Sequence, residues 1–259
     1  MSEPFLNHLA ERNEEEDTPM KTITITTVAK SAAIAVLAGT LGVLALGVAG
    51  PANATSVTMY GDPVAAAETW QPQRYDDCVL MASADVVGQL TGELPSEEAI
   101  IAKAHSTRSV VHAGPIYTKP TGNEDPNSGG TSMEDVPALL AQYKVSAVLI
   151  DNDDASAKGR TTGMAGLQRA LGSGRKVIVS VNGELIWQQP VEEKDKNGNP
   201  VSDHAVVVTG VDTANRVVHL NDSGTSEGRD EQIPMELFVR AWDTSSDLMV
   251  VTTQTGNRI

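Results

Sequence analysis

Cysteine is nearly absent: Cys78 is the only one in the chain. An internal disulfide is therefore excluded, and any thiol chemistry must run through that one residue. No Cys/His cluster has zinc spacing, and no glycine-rich loop is placed to cradle phosphate. Basic residues are outnumbered 19 to 34, for a formal net charge of -15, and they are scattered singly. That excludes tracking of a nucleic-acid backbone and disfavours anionic membrane surfaces. Aromatics make up only 3% of the residues, so the core must be built from Val, Leu, Ile, Ala and Met. There is no internal repeat and no low-complexity tract.

One long apolar run is present, from Ala32 to Gly50, preceded by Lys21 and Lys30 and ending in Pro51-Ala52-Asn53-Ala54. A basic flank, an apolar stretch and small residues at Ala52 and Ala54 match a secretory signal with an A-x-A site. The expectation is an exported protein whose mature chain begins near Thr55. An uncleaved single-pass anchor is the alternative, since the run approaches the ~20 residues that span a bilayer. Glu14, Glu15, Glu16 and Asp17 are acidic where a signal should be basic. Residues 1–19 therefore read as an acidic extension, or as untranslated if synthesis starts at Met20. Residues 20–54 are the signal or anchor, 55–69 a lead-in with few periodic signals, and 70–259 one domain. The remaining ~200 residues suffice for one full core.

Within that domain Asp76-Asp77 precede apolar residues at helical spacing, from Val79 to Leu90, with Gly92 as the stop. Ser96-Glu97-Glu98 opens a second helix to about His105. Gly114 to Thr131 reads as a long loop. Ser132-Met133-Glu134-Asp135 resembles a capping box opening a helix to about Tyr143. Ser146 to Ile150 is a strand, and Met164 to Leu171 a helix. Strands then follow over Lys176–Asn182, His204–Val211 and Arg216–Leu220, with a polar loop from Gln188 to Asp203. Pro234 opens a last helix to Trp242, and Leu248–Thr252 is a final strand. Helices first and an antiparallel sheet second is an α+β pattern.

The placement of three residues carries the chemistry. Cys78 sits at the first turn of a helix, where unpaired N–H groups and partial positive charge favour an anionic sulfur and can bind an oxyanion. His204 opens a strand, and Asp222 leaves the next one. A turn at Asp212-Thr213-Ala214-Asn215 would return both to the same hairpin end, where a carboxylate can hold an imidazole in one tautomer. Asn221 competes with Asp222 for that task, because strand alternation lets only one of them face His204. A thiol, an imidazole and an orienting group can open an amide through an acyl-enzyme, with no cofactor and no metal.

Three segments resemble the papain-like peptidases, and more closely the bacteriocin-processing peptidase-like branch (cysteine peptidase family thirty-nine and its relatives). They are Asp76-Asp77-Cys78-Val79 opening a helix, Asp203-His204-Ala205-Val206-Val207-Val208-Thr209-Gly210, and Val218-His219-Leu220-Asn221-Asp222-Ser223-Gly224. The helix Leu237-Phe238-Val239-Arg240-Ala241-Trp242 is similar to that group as well. The resemblance covers about Trp70 to the end. It implies N-terminal helices carrying the Cys, packed on an antiparallel sheet carrying His and Asp. It also implies a bacterial thiol peptidase acting on a peptide or protein, with Cys78, His204 and Asp222 catalytic. Such peptidases place a Gln upstream of the Cys as oxyanion donor. Gln73 is the expectation here and Gln71 the alternative, with Pro72 between them. The family usually has Gly after the nucleophile, where this chain has Val79.

Two further readings stand beside the peptidase: a cell-wall peptide hydrolase, and a secreted binding module that keeps the fold without turnover. His105, His112 and His219 read as structural or exposed, with no carboxylate placed to pair with them. Asp195-Lys196-Asn197-Gly198-Asn199 reads as a solvated turn rather than a calcium loop, since Pro200 replaces the sharp-turn Gly. Asp151 to Asp154 reads as an exposed acidic loop. The 114–131 and 188–203 loops are expected as cleft walls, with Trp187 as an apolar contact.

Overall fold

The structure is a computed structural model that describes residues 58–120, 130–152, 155 and 159–256. The expected signal or anchor and the acidic extension lie outside the described residues. No described helix is long and apolar enough to cross a membrane.

The helix expected after Asp77 is α2, Cys78–Thr91. Gly92 ends it in the left-handed region (φ 75), and its N–H bonds the Gly88 carbonyl. Asp77 takes the N-cap position, but its side chain makes no capping bond. Every residue from Cys78 to Gly88 is buried, so α2 is covered on all sides. One side, with Cys78, Ala82, Val86 and Val87, packs on the sheet residues Ile178, Ala205, Val207 and Val250. The other, with Leu80, Met81 and Ala84, packs on Ile100, Ile101 and Ala104 of α3, Glu97–Ser106. Ser96 caps α3 by accepting from the Ala99 N–H at 3.3 Å.

The predicted capping box at Ser132 does not form. The Ser132 hydroxyl bonds Glu134, residues Met133–Asp135 make a 3-10 turn, and α4 spans only Val136–Ala141. Asp135 turns inward instead, accepting from Ser109 Oγ at 2.8 Å and the Val110 N–H at 2.6 Å.

The strands are β1 (Met59–Gly61), β2 (Ala147–Ile150), β3 (Val177–Val181), β4 (His204–Asp212), β5 (Val217–Asn221), β6 (Glu231–Pro234) and β7 (Met249–Thr252). They form one sheet in the order β2-β7-β3-β4-β5-β6, with β1 also paired to β4. Every pairing is antiparallel. Beyond the sheet, α5 (Gly163–Gly172) and α7 (Met235–Asp243) pack Leu167, Leu171, Phe238 and Trp242 against Val177, Val179, Val206 and Leu220. The result is α+β, with α2 and α4 on one face of the sheet and α5 and α7 on the other.

Three segments differ from the sequence expectation. Residues 58–69, expected as a lead-in, supply β1 and the helix α1 (Pro63–Ala66), capped by Asp62. Gly61 makes this docking possible: a Cβ there would come within 2.3 Å of the Thr209 carbonyl oxygen. β6 was unexpected because Glu231 and Gln232 break the apolar signal. A four-residue helix, α6 (Gly183–Ile186), interrupts the chain after β3, with Asn182 accepting from the Leu185 N–H at 2.9 Å. The Asp195 turn is as expected: its carboxylate accepts from the backbone N–H groups of Asn197 and Asn199.

Candidate active site

β4 and β5 set the site. Val207 pairs with Asn221, so Asp222 lies one residue beyond that pair and His204 three residues before it on the facing strand. His204 Nε2 lies 2.7 Å from Asp222 Oδ1. Asn221 points elsewhere, its amide donating to Asp85 Oδ2 and the Ala66 carbonyl, both at 2.8 Å. Of the two candidate orienters, Asp222 is therefore the one in contact with His204.

Asp222 is fully buried, and donors surround it. Gly224 N–H bonds Oδ1 at 2.7 Å, and the Trp187 indole N–H bonds Oδ2 at 2.9 Å. Burial alone would raise the Asp222 pKa, but these bonds and the His204 charge hold it below the usual carboxylate range. The shared proton therefore belongs on Nε2, with imidazole donating and carboxylate accepting.

His204 is also buried. Burial pushes its pKa down, but hydrogen bonds to Asp222 and to Cys78, with the charges of both, hold it well above the ordinary histidine value. Nε2 is committed to Asp222, which leaves Nδ1 for the thiol. Cys78 is at the first position of α2, 8% exposed, and lines the same cleft. The three residues singled out from sequence thus converge.

Gln73 also lines this cleft, whereas Gln71 donates to the Pro95 carbonyl at 2.9 Å and does not. Ser223 Oγ donates to Gln73 Oε1 at 2.8 Å, and the Gln73 N–H donates to the Ser223 carbonyl at 2.8 Å. Gln73 Nε2 donates to the Tyr75 carbonyl at 3.0 Å, which accounts for one of its two hydrogens. Val79, 6% exposed, lines the cleft beside the thiol.

Trp187 has a role the sequence reading missed. Expected as an apolar substrate contact, it tethers Asp222 and sits on His204, with ring centroids 5.0 Å apart and planes tilted by 54°. Trp70 adds to the frame by donating to the Asp222 carbonyl at 2.6 Å. Neither tryptophan is near Asp222 in sequence, and nothing in local periodicity signals such a contact. Trp187 also lines the cleft, as expected. A correction concerns His219, expected to lack a carboxylate partner. Its Nδ1 lies 2.7 Å from Asp230 Oδ1, because the 222–230 turn folds back beside β5.

The cleft has a volume of about 710 Å³ and takes in parts of both predicted wall loops, Gly130–Thr131 and Glu192–Glu193 with Ser202–Asp203. Several carboxyls near it are perturbed. Burial lifts Asp77 to about 7, with Glu97 and Asp76 adding repulsion. Both Asp77 oxygens lack a partner among the described residues. Burial likewise lifts Glu231 to about 7, with the Asp222 charge contributing. Among the described residues no group of three or more His, Cys, Asp or Glu could hold a metal ion.

Two predictions come from this geometry. If Trp187 acts through Asp222, a double-mutant cycle between Trp187→Phe and Asp222→Asn in urea unfolding should give a coupling of about 1.5 kcal/mol, as for a hydrogen bond to a charged group. A coupling near zero would mean that the indole only packs. Asp77 carries the opposite sign. Its folded pKa lies above the unfolded value, so the native state holds the extra proton and stability falls as pH rises from about 4 through about 7. Asp77→Asn should therefore unfold at a higher temperature than the parent at pH 8, by several degrees. The two melting profiles should converge as pH falls toward 4.

Comparison with known proteins identifies the family and the fold. The Peptidase_C39-like family model matches residues 78–250. Uncharacterized proteins of Mycobacterium tuberculosis (strain H37Rv) and Mycobacterium bovis are each 63% identical over 235 residues, covering 90% of this chain and 100% of theirs. A crystal structure of a C39-like peptidase from Bacillus anthracis superposes with a TM-score of 0.51 at 16% identity, covering 77% of this chain and 99% of that one. With the helix-borne thiol and the strand-borne His and Asp already in place, the chain belongs to the Peptidase_C39-like family and has the papain-like cysteine peptidase fold.

Proposed function

We propose that this protein is an exported cysteine peptidase that hydrolyses peptide bonds through an acyl-enzyme on Cys78. The observation that carries the reading is the buried chain Asp222–His204–Cys78, with 2.7 Å between His204 Nε2 and Asp222 Oδ1 and the thiol at the start of α2. Cys78 Sγ attacks the scissile carbonyl carbon. The oxyanion is stabilised by the free N–H groups of the first turn of α2 and by the second Nε2 hydrogen of Gln73. The C–N bond then breaks as His204 gives its proton to the departing amine. Water, deprotonated by His204, attacks the thioester, and the carboxylic acid leaves as the thiolate is restored. Asp222 keeps the imidazole in the tautomer both steps need.

The orienter in contact with His204 is a carboxylate rather than a second histidine, which favours the peptidase over the cell-wall hydrolase. Val79 beside the thiol favours the other alternative, a binding module without turnover, because a side chain stands where the family usually has none.

Turnover of unstructured peptides decides between enzyme and module. Cys78→Ser should abolish hydrolysis with the fold retained, and His204→Ala should cost as much, because residues acting as a unit are not additive. Asp222→Ala should cost less in rate, and Asn221→Ala should act mainly on stability. Unchanged turnover in Cys78→Ser would overturn the mechanism. Export is checked separately by N-terminal sequencing of protein recovered from the culture medium. A start near Thr55 is expected, and a membrane-bound product with the 32–50 segment intact would overturn cleavage.

A further inference from the structure

Six carboxylates line the cleft: Asp76, Glu134, Glu184, Glu192, Glu193 and Asp203. No lysine or arginine is among the described lining residues. About two in three charged residues of the chain are acidic, so six of six exceeds what composition alone supplies. The six come from both sides: Asp76 from the approach to α2, Glu134 from the turn before α4, Glu184 from α6, and the others from the loop before β4. Among the described residues none of them is neutralised by an ion pair. Lines of negative potential therefore converge on the thiol from both rims, in a cleft with low-dielectric walls that focus them.

Two independent features point to a cationic occupant rather than to mere acidity. First, Glu184 and Asp203 are held together although both are acids. Asp203 accepts from the Gly183 N–H at 2.8 Å, and Asn182 Nδ2 donates to Glu184 Oε2 at 3.0 Å. Backbone and amide donors thus fix two carboxyls that repel each other. Burial, then the Glu184 charge and a hydrogen bond to the Glu184 carboxyl, lift Asp203 to about 6, so the pair shares a proton below that pH and repels above it. Such a pair is relieved by an inserted ammonium or guanidinium, which brings donors only. Second, one hydroxyl lining the cleft has no protein partner among the described residues. It is that of Ser180, 9% exposed, which lines the cleft beside Ala205 and Leu248. A nine-tenths buried serine whose hydroxyl has no protein partner among the described residues, in a cleft that also carries the carboxylates, suits a long side chain with an apolar stem and a donor tip.

Building on the peptidase reading, we propose that this cleft selects peptides with lysine or arginine next to the scissile bond. The stem would lie over Ala205 and Leu248, and the charged tip would meet the carboxylates of the rim. Peptides with glutamate or aspartate in the same place would be repelled before reaching Cys78.

The sole cysteine gives a readout that does not need turnover. The exported protein is treated with a trimethylammonium-bearing or a sulfonate-bearing methanethiosulfonate of similar size, and each rate is normalised to that of a free thiol. The cationic reagent should modify Cys78 at least tenfold faster at low ionic strength. The ratio should shrink at about 0.5 M salt, where screening is strong. It should also shrink in a Glu184→Gln, Glu192→Gln, Glu193→Gln variant. In parallel, one peptide series carrying Lys, Ala or Glu on either side of the cleaved bond is assayed for kcat/KM. Lys over Glu by more than tenfold is expected. A normalised reagent ratio near one, or equal cleavage of Lys and Glu peptides, would overturn the charge selection and leave the peptidase reading intact. A high ratio with no peptide cleaved would support the cationic occupant and overturn hydrolysis instead.

Discussion

Everything at this site depends on keeping one carboxylate charged in the interior. Moving an unpaired carboxylate out of water costs several kcal/mol or more. Asp222 avoids that cost because three donors converge on it: the His204 ring, the Gly224 N–H and the Trp187 indole. The donors need a tight turn around the carboxylate, and two glycines permit it. A Cβ at Gly228 would stand 1.8 Å from the Asp222 carbonyl oxygen, and one at Gly224 would stand 2.9 Å from His204 Cε1. The Asp222 N–H in turn donates to the Gly228 carbonyl at 2.8 Å. The geometry of the histidine is therefore set by backbone closure of the 222–228 loop.

The thiol is located by the neighbouring residue. Asn221 and Asp222 point opposite ways from the end of β5. Asn221 reaches Asp85, which lies two helical turns after Cys78 on α2 and also accepts from Thr69 and Gln89. Successive residues of one strand end thus hold the two halves of the site: one grips the helix bearing the sulfur, the other grips the imidazole. Since α2 is packed by the sheet on one side and by α3 on the other, it has little freedom to slide.

That division explains what could be read in the sequence. The apolar period of α2, the β-branched strands and the turn at Asp212 were local signals, and they placed Cys78, His204 and Asp222 at the right element ends. Distinguishing Asp222 from Asn221 needed the β4–β5 register, and that register contains an irregularity between Val208 and Gly210. A one-residue shift exchanges the faces of every side chain, so no pattern count could settle it. Trp187 and Trp70 were out of reach because their indoles act across 35 and 152 residues of chain. The capping motif at Ser132 misled because Asp135 finds stronger use inside, holding Ser109 and Val110. Its competitor was a tertiary hydrogen bond, which local propensity does not see.

The electrostatics of the cleft follow from the same architecture. His204 lowers the pKa of Asp76, Asp203 and Glu231. By linkage each of those carboxylates, once ionised, favours the imidazolium in return. Yet burial raises all three, so their support strengthens only as pH climbs toward neutrality. Asp222 differs, because its pKa is depressed and its charge is constant over that range. The histidine therefore has one permanent counterion in Asp222, and two more, Asp203 and Glu231, that ionise near the pH at which an isolated imidazole would lose its proton. An imidazolium protected in that way is well suited to protonate a departing amine. It is less suited to deprotonate water, unless a positive charge entering the cleft offsets the rim carboxylates. On the acyl-enzyme reading proposed above, a cationic side chain bound beside the scissile bond would provide that offset for as long as the acyl portion carrying it remained on the sulfur, and the side of the bond it occupied would then bear on which step limits turnover.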